Sequence, residues 1–312
     1  MSLDPAVARF VRACEIDIPE ELPLSDHREC IRLSLELNFV RFGLPGPASI
    51  ITEDHHVDVD GGSIRLRLYR PSAEAALPVH VFLHGGGWWQ GSIDDRVNDA
   101  YCRRLAAEAG LVVAAVDYRL APEYPFPHGL NDACSALRWL GDHSEQLGLG
   151  MGGRSVTVGG NSAGANLAAA ITLKARDEVD LPRIAFQVLE VPALDLRYER
   201  GEPGESSLIR GLYLPEPRLA DLPTASPLLA PDLSGLPPAA IYVAEHDPLR
   251  HQGESYARRL RDASVAVELE VGAGGVHGSL LLTRTWPPAL TWQLRTAQRL
   301  AAIHQSHPIG DR

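Results

Sequence analysis

Short apolar runs recur along the chain, and the segments between them have the spacing of amphipathic helices. Such runs predict strands that are buried on both faces, and strands that alternate with helices form a mostly parallel sheet. The five runs lie at residues 79–83, 111–116, 156–159, 184–189 and 239–244. The pattern therefore predicts an α/β fold.

The two ends of the predicted sheet have a different pattern. Residues 55–60 and 64–69 alternate in character around Gly61-Gly62, which predicts an antiparallel hairpin. Near the other end, Val265 to Val271 alternates apolar with polar residues, as a strand at an exposed sheet edge does. Such an edge could pair two copies of the chain in a homodimer.

Two regions depart from this alternation. Residues 1–50 have helical patterns, and a Pro- and Glu-rich stretch occupies about 197–221. Both are expected to cover one end of the sheet as a small helical cap. The predicted organisation is N-terminal cap helices in 1–50, followed by an α/β domain in 51–312 that carries the cap insertion.

Composition excludes several classes of protein. Of the 312 residues 45% are hydrophobic and 22% charged, so the chain can bury a sizeable core. A formal net charge of −11 disfavours nucleic acid and anionic membranes as partners. With no leader-like segment and no 18-residue apolar run, we expect a cytoplasmic protein. The four widely spaced cysteines predict neither a metal site nor a disulfide framework.

The pentapeptide Gly160-Asn161-Ser162-Ala163-Gly164 lies between an apolar run and an Ala-rich stretch. It predicts a sharp turn from a strand into a helix, which displays Ser162 clear of the sheet as a candidate nucleophile. The glycines suit such a turn because its central residue is strained and its neighbours have little space. A plain Gly-rich turn is the alternative interpretation.

A second glycine motif, His84-Gly85-Gly86-Gly87, directly follows the first of the five runs. Successive glycines let backbone N–H groups point toward one place, where they stabilise the negative charge that develops in acyl transfer. Gly85, Gly86 and Ala163 are the candidate donors of this oxyanion hole. A flexible loop or a phosphate cradle is the alternative, although neither phosphate-binding glycine pattern follows the strand.

A nucleophilic serine needs a base to remove its proton and a third group to orient that base. Asp247 follows the last of the five runs, and His277 comes after the next predicted strand. The order Ser, Asp, His, with each residue just past the C-terminal end of a strand, is the order in an α/β-hydrolase sheet. The rivals are His246 for the base and Glu190 and Asp195 for the acid.

Together these motifs resemble the hormone-sensitive-lipase-like family of α/β-hydrolases, the bacterial family IV carboxylesterases. The resemblance covers most of the chain and includes 117–123 and 247–250 in the family's order. It implies an eight-stranded, mostly parallel sheet flanked by helices, a small helical cap, no cofactor, and a triad of Ser162, Asp247 and His277. By this analogy 117–123 forms a loop that supports the oxyanion region, in which Arg119 and Glu123 can pair.

The activity that the resemblance implies is hydrolysis of carboxylic esters of short to medium acyl groups through an acyl-enzyme intermediate, with a small-molecule ester as substrate. An amidase, a deacetylase or a lactonase with the same triad stays open, because the sequence does not report how the base is placed toward a leaving group. A ligand-binding receptor on the same scaffold is the remaining alternative, and the presence of His277 argues against it.

The substrate pocket is predicted from chain position. Trp88 and Trp89 follow the oxyanion glycines, and one is expected to line the site while the other packs beneath it. Apolar residues of the two cap regions are expected to close over an acyl group, with simple packing as the alternative. These residues are Phe39, Phe42, Leu212, Tyr213 and Leu214. The short insertion favours small or medium acyl groups over long-chain lipids.

Overall fold

An eight-stranded sheet organises the protein, with strand order β1-β2-β4-β3-β5-β6-β7-β8. The computed structural model describes residues 2–15, 18–19, 21–73, 76–151, 155–197 and 204–306. The strands are β1 (Ile51–Val59), β2 (Gly62–Arg70), β3 (Val79–Leu83), β4 (Val112–Asp117), β5 (Ser155–Asn161), β6 (Arg183–Glu190), β7 (Ala239–Ala244) and β8 (Val267–Gly272).

The strand directions agree with the hydrophobic pattern. The predicted hairpin forms β1 and β2, which pair antiparallel around Gly61, and β2 also runs antiparallel to β4. The remaining neighbours pair in parallel, and β3 and β7 are buried along their whole length. The predicted α/β-hydrolase fold with its mostly parallel eight-stranded sheet is confirmed.

Helices cover both faces of the sheet. They are α1 (Pro5–Cys14), α2 (Leu24–Phe42), α3 (Arg96–Ala109), α4 (His128–Asp142), α5 (Ala163–Asp177), α6 (Gly204–Tyr213), α7 (Arg250–Asp262) and α8 (Pro287–Ser306). The end of α3 shows how the sequence sets these limits. Gly110 adopts a left-handed conformation (φ 63°) and its N–H bonds to the carbonyl of Ala106, so the helix stops there.

The core consists of two apolar layers, one on each face of the sheet. One layer includes Leu137 of α4, Leu167 of α5 and Leu260 of α7, and the other includes Leu105 of α3 and Leu300 of α8. None of the helices in the described ranges is both long enough and apolar enough to cross a bilayer.

The two predicted cap regions contain helices. Residues 1–50 include α1 and α2, and the insertion includes α6 and a short 3-10 turn, Pro217–Asp221. Residues 198–203 of the predicted insertion lie outside the described ranges. Phe10 of α1 and Phe42 of α2 pack edge to face, with ring centroids 5.8 Å apart.

Candidate active site

Ser162 lies in the sharp turn between β5 and α5. Its backbone has φ 53° and ψ −114°, a conformation that is strained for a residue with a side chain. The turn passes so close to the end of β3 that a Cβ at position 164 would lie 2.0 Å from the carbonyl oxygen of Leu83, and one at position 160 would lie 2.4 Å from it. Gly160 and Gly164 are therefore required by the close approach of two backbones.

Three polar side chains meet at this turn. His277 Nε2 lies 2.8 Å from Ser162 Oγ, and His277 Nδ1 lies 2.8 Å from Asp247 Oδ2. The other carboxylate oxygen, Asp247 Oδ1, accepts the N–H of Leu249 at 2.8 Å, and the Asp247 side chain is fully buried. A carboxylate held in this way keeps the proton of the imidazole on Nδ1, so Nε2 is free to accept the proton of the serine hydroxyl.

The rival acids and the rival base have other partners. The His246 ring lies beside Glu245, 3.9 Å from its carboxylate, and its backbone N–H bonds to Gly275. Asp195 forms an ion pair with Arg197 at 2.7 Å. Glu190 is buried below the turn, where the Tyr101 hydroxyl lies 3.5 Å from its carboxyl. The carboxylate that contacts His277 is Asp247.

The glycine loop after β3 lies against the serine turn. A Cβ on Gly85 would lie 2.4 Å from the side-chain oxygen of Asn161. Gly86 and Gly87 have φ of 121° and 59°, conformations that side chains rarely allow. Within the described part of the chain, no acceptor takes a hydrogen bond from the backbone N–H of Gly85, Gly86 or Ala163. These amides therefore remain available to a ligand.

A family model described as alpha/beta hydrolase fold matches residues 80–281, a range that contains the serine turn, the glycine loop and both partners of the serine. The chain belongs to this family. It is 36% identical to the carboxylic ester hydrolase LipN of Mycobacterium tuberculosis, over 90% of this chain and 78% of LipN. It is 39% identical to the carboxylesterase NlhH of the same organism, over 81% of this chain and 82% of NlhH.

Comparison with solved structures also finds similarity to esterases. A hyperthermophilic esterase from the archaeon Pyrobaculum calidifontis superposes with a TM-score of 0.86 at 33% identity, over 97% of this chain and 100% of that one. The resemblance to the esterases of the α/β-hydrolase superfamily is thus confirmed.

In this α/β hydrolase, His84 braces the glycine loop. Its Nδ1 donates to the carbonyl of Gly85 at 2.8 Å, and its ring stacks on Tyr118 with centroids 4.3 Å apart. The Tyr118 hydroxyl donates in turn to the carbonyl of His84 at 2.7 Å. Burial lowers the pKa of His84, so the ring is held neutral.

The prediction that Arg119 and Glu123 pair with each other is wrong. Arg119 binds Asp132 at 2.7 Å, and Glu123 binds Arg28 of α2 at 2.7 Å. Asp132 is fully buried, and a buried carboxylate without a cation would be strongly destabilising. Arg119 therefore pairs with the buried carboxylate rather than with the exposed one nearer in sequence.

A cavity of about 560 Å³ opens over Ser162 and His277. Much of its wall is apolar and comes from four parts of the chain: Leu35 of α2, Ile209 of α6, Leu249 before α7, and Leu280 after the candidate base. Among the described residues, no group of three or more His, Cys, Asp or Glu side chains could hold a metal ion.

The two tryptophans differ in their position relative to the cavity. Trp88 lines it and stacks on Tyr213, with ring centroids 4.4 Å apart, whereas Trp89 is buried outside the lining. Tyr213 thus supports the wall from behind. Leu212 and Leu214, its neighbours in the chain, do not line the cavity either.

On both predicted cap helices the lining residues lie one turn before the predicted ones. Leu35, four residues before Phe39, reaches the cavity, while Phe39 and Phe42 pack in the apolar layer near α1. On α6 the lining residues are Ile209 and Arg210. The helix periodicity indicated which residues share a face, but only the position of the helix decides which turn meets the cavity.

Several polar residues of the lining had no signal in the sequence. They are Gln90, Asp95, Asn98 and Gln252. Gln252 of α7 accepts the backbone N–H groups of Leu194 and Asp195, at 2.6 and 2.9 Å, and so shapes the loop after β6. Because these contacts join residues nearly 60 positions apart in the chain, no local sequence pattern predicts them.

Proposed function

We propose that the protein is a carboxylesterase-type serine hydrolase that cleaves small-molecule esters of short to medium acyl groups. The observation that carries this proposal is the continuous hydrogen-bonded series Asp247–His277–Ser162, with both contacts at 2.8 Å, at the wall of a cavity. Relatives at 36% and 39% identity are named carboxylic ester hydrolase and carboxylesterase.

Each step of ester hydrolysis has a group in position. Ser162 attacks the ester carbonyl while His277 takes its proton, and Asp247 stabilises the imidazolium that forms. The backbone N–H groups of Gly85, Gly86 and Ala163 are proposed to bind the oxyanion. His277 then returns the proton to the leaving alcohol and activates a water molecule that hydrolyses the acyl-enzyme.

The size of the cavity supports short to medium acyl groups. About 560 Å³ must hold both the acyl and the alcohol portion of the ester. We also propose that α1 and α2, together with the insertion that contains α6, act as the cap, since α2 and α6 each supply lining residues.

Hydrolysis of p-nitrophenyl esters from acetate to decanoate, by wild type and Ser162→Ala at pH 8, tests the proposal. We expect wild-type turnover to peak at short or medium chains, and the substitution to lower kcat at least about 10⁴-fold because the acyl-enzyme can no longer form. Equal, negligible rates for both proteins would contradict ester hydrolysis and direct the search to amides and lactones. Strong turnover of emulsified long-chain triglyceride would contradict the size limit.

A homodimer through the edge of the sheet is a further part of this proposal. β8 is the last strand, its backbone edge faces no other strand among the described residues, and Val271 is exposed there. An uncovered strand of this kind can pair with the same strand of a second copy.

A further inference from the structure

One part of the cavity wall carries oxygen acceptors that the described residues leave without a donor. Asp95, directly before α3, lines the cavity and is only 7% exposed. Its Oδ2 accepts the N–H of Ser92 at 2.9 Å, and no donor from the described chain reaches Oδ1. Asn98 lines the same wall and donates its amide N–H to the carbonyl of Ser92 at 2.8 Å, so its Oδ1 is an acceptor without a described donor too.

No cationic side chain of the described residues forms an ion pair with Asp95. Arg32 of α2 lies near enough to lower the pKa of Asp95, but it forms its ion pair with Glu29 at 2.7 Å. Glu36 adds a further negative charge nearby, which raises the pKa of Asp95. His84 is held neutral by burial. The other carboxylate of the lining, Asp195, has Arg197 as its partner.

Within the described ranges, Asp95 forms no ion pair. Burial is the largest influence on the pKa of its carboxyl group and raises it, and the smaller effects of His84 and Arg32, which lower the pKa, do not reverse that direction. A ligand group that hydrogen-bonds to these two oxygen acceptors must supply N–H or O–H donors. A positively charged donor also balances the charge of the buried carboxylate. An ammonium group has donors and no acceptors, so it fits two oxygen acceptors on residues three positions apart at the start of a helix.

We propose that Asp95 and Asn98 bind a substrate ammonium group, so that the preferred esters are those of amino alcohols or amino acids. This inference rests on the proposed esterase function. Since the wall is part of the cavity that contains Ser162, the ammonium would be carried by the same molecule as the scissile ester.

Two pairs of nearly isosteric esters test the proposal on either side of the scissile bond. On the alcohol side, 2-(dimethylamino)ethyl acetate is compared with 3-methylbutyl acetate, and on the acyl side ethyl 4-aminobutyrate is compared with ethyl pentanoate. At pH 7.5 we expect at least one cationic ester to exceed its neutral partner about tenfold in kcat/KM, the effect of one charge-assisted hydrogen bond. Asp95→Asn should bring that ratio close to one.

The substitution is suited to this purpose because asparagine keeps an oxygen acceptor for the N–H of Ser92. Asp94→Asn is the matched control, since Asp94 is exposed, binds Arg65 at 2.5 Å and does not line the cavity. The control should retain the wild-type ratio. Neutral esters preferred in both pairs, or a ratio that Asp95→Asn leaves unchanged, would overturn the ammonium site.

A binding measurement separates this inference from the esterase function. Calorimetry with 2-(dimethylamino)ethyl acetate and ethyl 4-aminobutyrate on Ser162→Ala needs no turnover. Binding of either ester that weakens about tenfold in the Ser162→Ala, Asp95→Asn double variant supports the site even if no ester is hydrolysed. Hydrolysis of the neutral esters by wild type, with no such change in binding, would leave the esterase standing and refute the ammonium site.

Discussion

At the scale of single residues, the strained backbone of Ser162 is held in place from two sides. Its N–H donates to the carbonyl of Glu190 at 2.8 Å, and Gly164 lets the turn press against the end of β3. The cost of a positive φ at Ser162 is about 1–3 kcal/mol, which the surrounding contacts must offset. The benefit is a hydroxyl that stands at the carboxyl edge of the sheet, within reach of His277.

The buried carboxyl group of Glu190 makes the free energy of unfolding depend on pH. Burial raises the pKa of its carboxyl from 4.5 to about 8. Below pH 4.5 the group is protonated whether the chain is folded or not, so it has no effect on stability. Between pH 4.5 and 8 only the unfolded chain releases the proton, and the free energy of unfolding falls by at most about 1.4 kcal/mol per pH unit.

Glu190→Gln removes this dependence, because glutamine stays neutral. We expect the free energy of unfolding of wild type to fall relative to that of the variant from pH 5 to pH 8. Urea denaturation at pH 5, 6.5 and 8 measures the difference. Glu216→Gln, a change at an exposed ion pair with Arg218, is the control and should run parallel to wild type. A parallel profile for Glu190→Gln would show that the buried carboxyl has no such effect.

At the scale of elements, Arg28 connects α2 to the loops that follow β3 and β4. Arg28 donates to the carbonyl of Trp89 at 2.6 Å, to that of Ala121 at 2.5 Å, and to the Glu123 carboxylate. Trp89 belongs to the segment that continues from the glycine loop after β3. Arg28 therefore helps to fix the position of α2, and with it Leu35 in the cavity wall.

Arg28→Ala should lower the free energy of unfolding by about 2 kcal/mol, because three acceptors lose a donor at once. It should also lower kcat/KM, since both the segment after the glycine loop and α2 lose a fixed contact. Arg32→Ala removes an exposed pair with Glu29 on the same helix and should cost under about 0.5 kcal/mol. Equal stability and activity of the two variants would refute the connecting role of Arg28.

At the scale of the whole molecule, the proposed homodimer would form through the edge of β8, which no other strand of the described residues covers. A lysine in place of Val271 puts a charge on this edge and should block strand pairing. By light scattering we expect twice the monomer mass for wild type and the monomer mass for Val271→Lys. Ile51→Lys at the opposite edge strand, β1, is the control and should remain dimeric. A monomeric wild type would contradict the dimer.

The sequence by itself determined the order of strands and helices along the chain. Apolar runs are local features, and they placed β3 and β7 at the residues that the structure gives. They also located the hairpin, although β1 begins four residues before the start of its predicted strand. The candidate triad and the glycine loop were also predicted, because an α/β-hydrolase sheet requires them at particular strand ends. In the structure His277 lies within hydrogen-bond distance of both Ser162 and Asp247, and the roles of these residues stay a prediction.

Only the tertiary structure decided what each side chain faces. Arg119 takes the buried Asp132 as its partner, Trp88 rather than Trp89 lines the cavity, and Leu35 reaches it where Phe39 does not. Each outcome depends on packing between segments that are far apart in the chain, and on which buried charge most needs a partner. A periodic pattern gives the face of an element, whereas the neighbours of that face are determined by the arrangement of the whole fold.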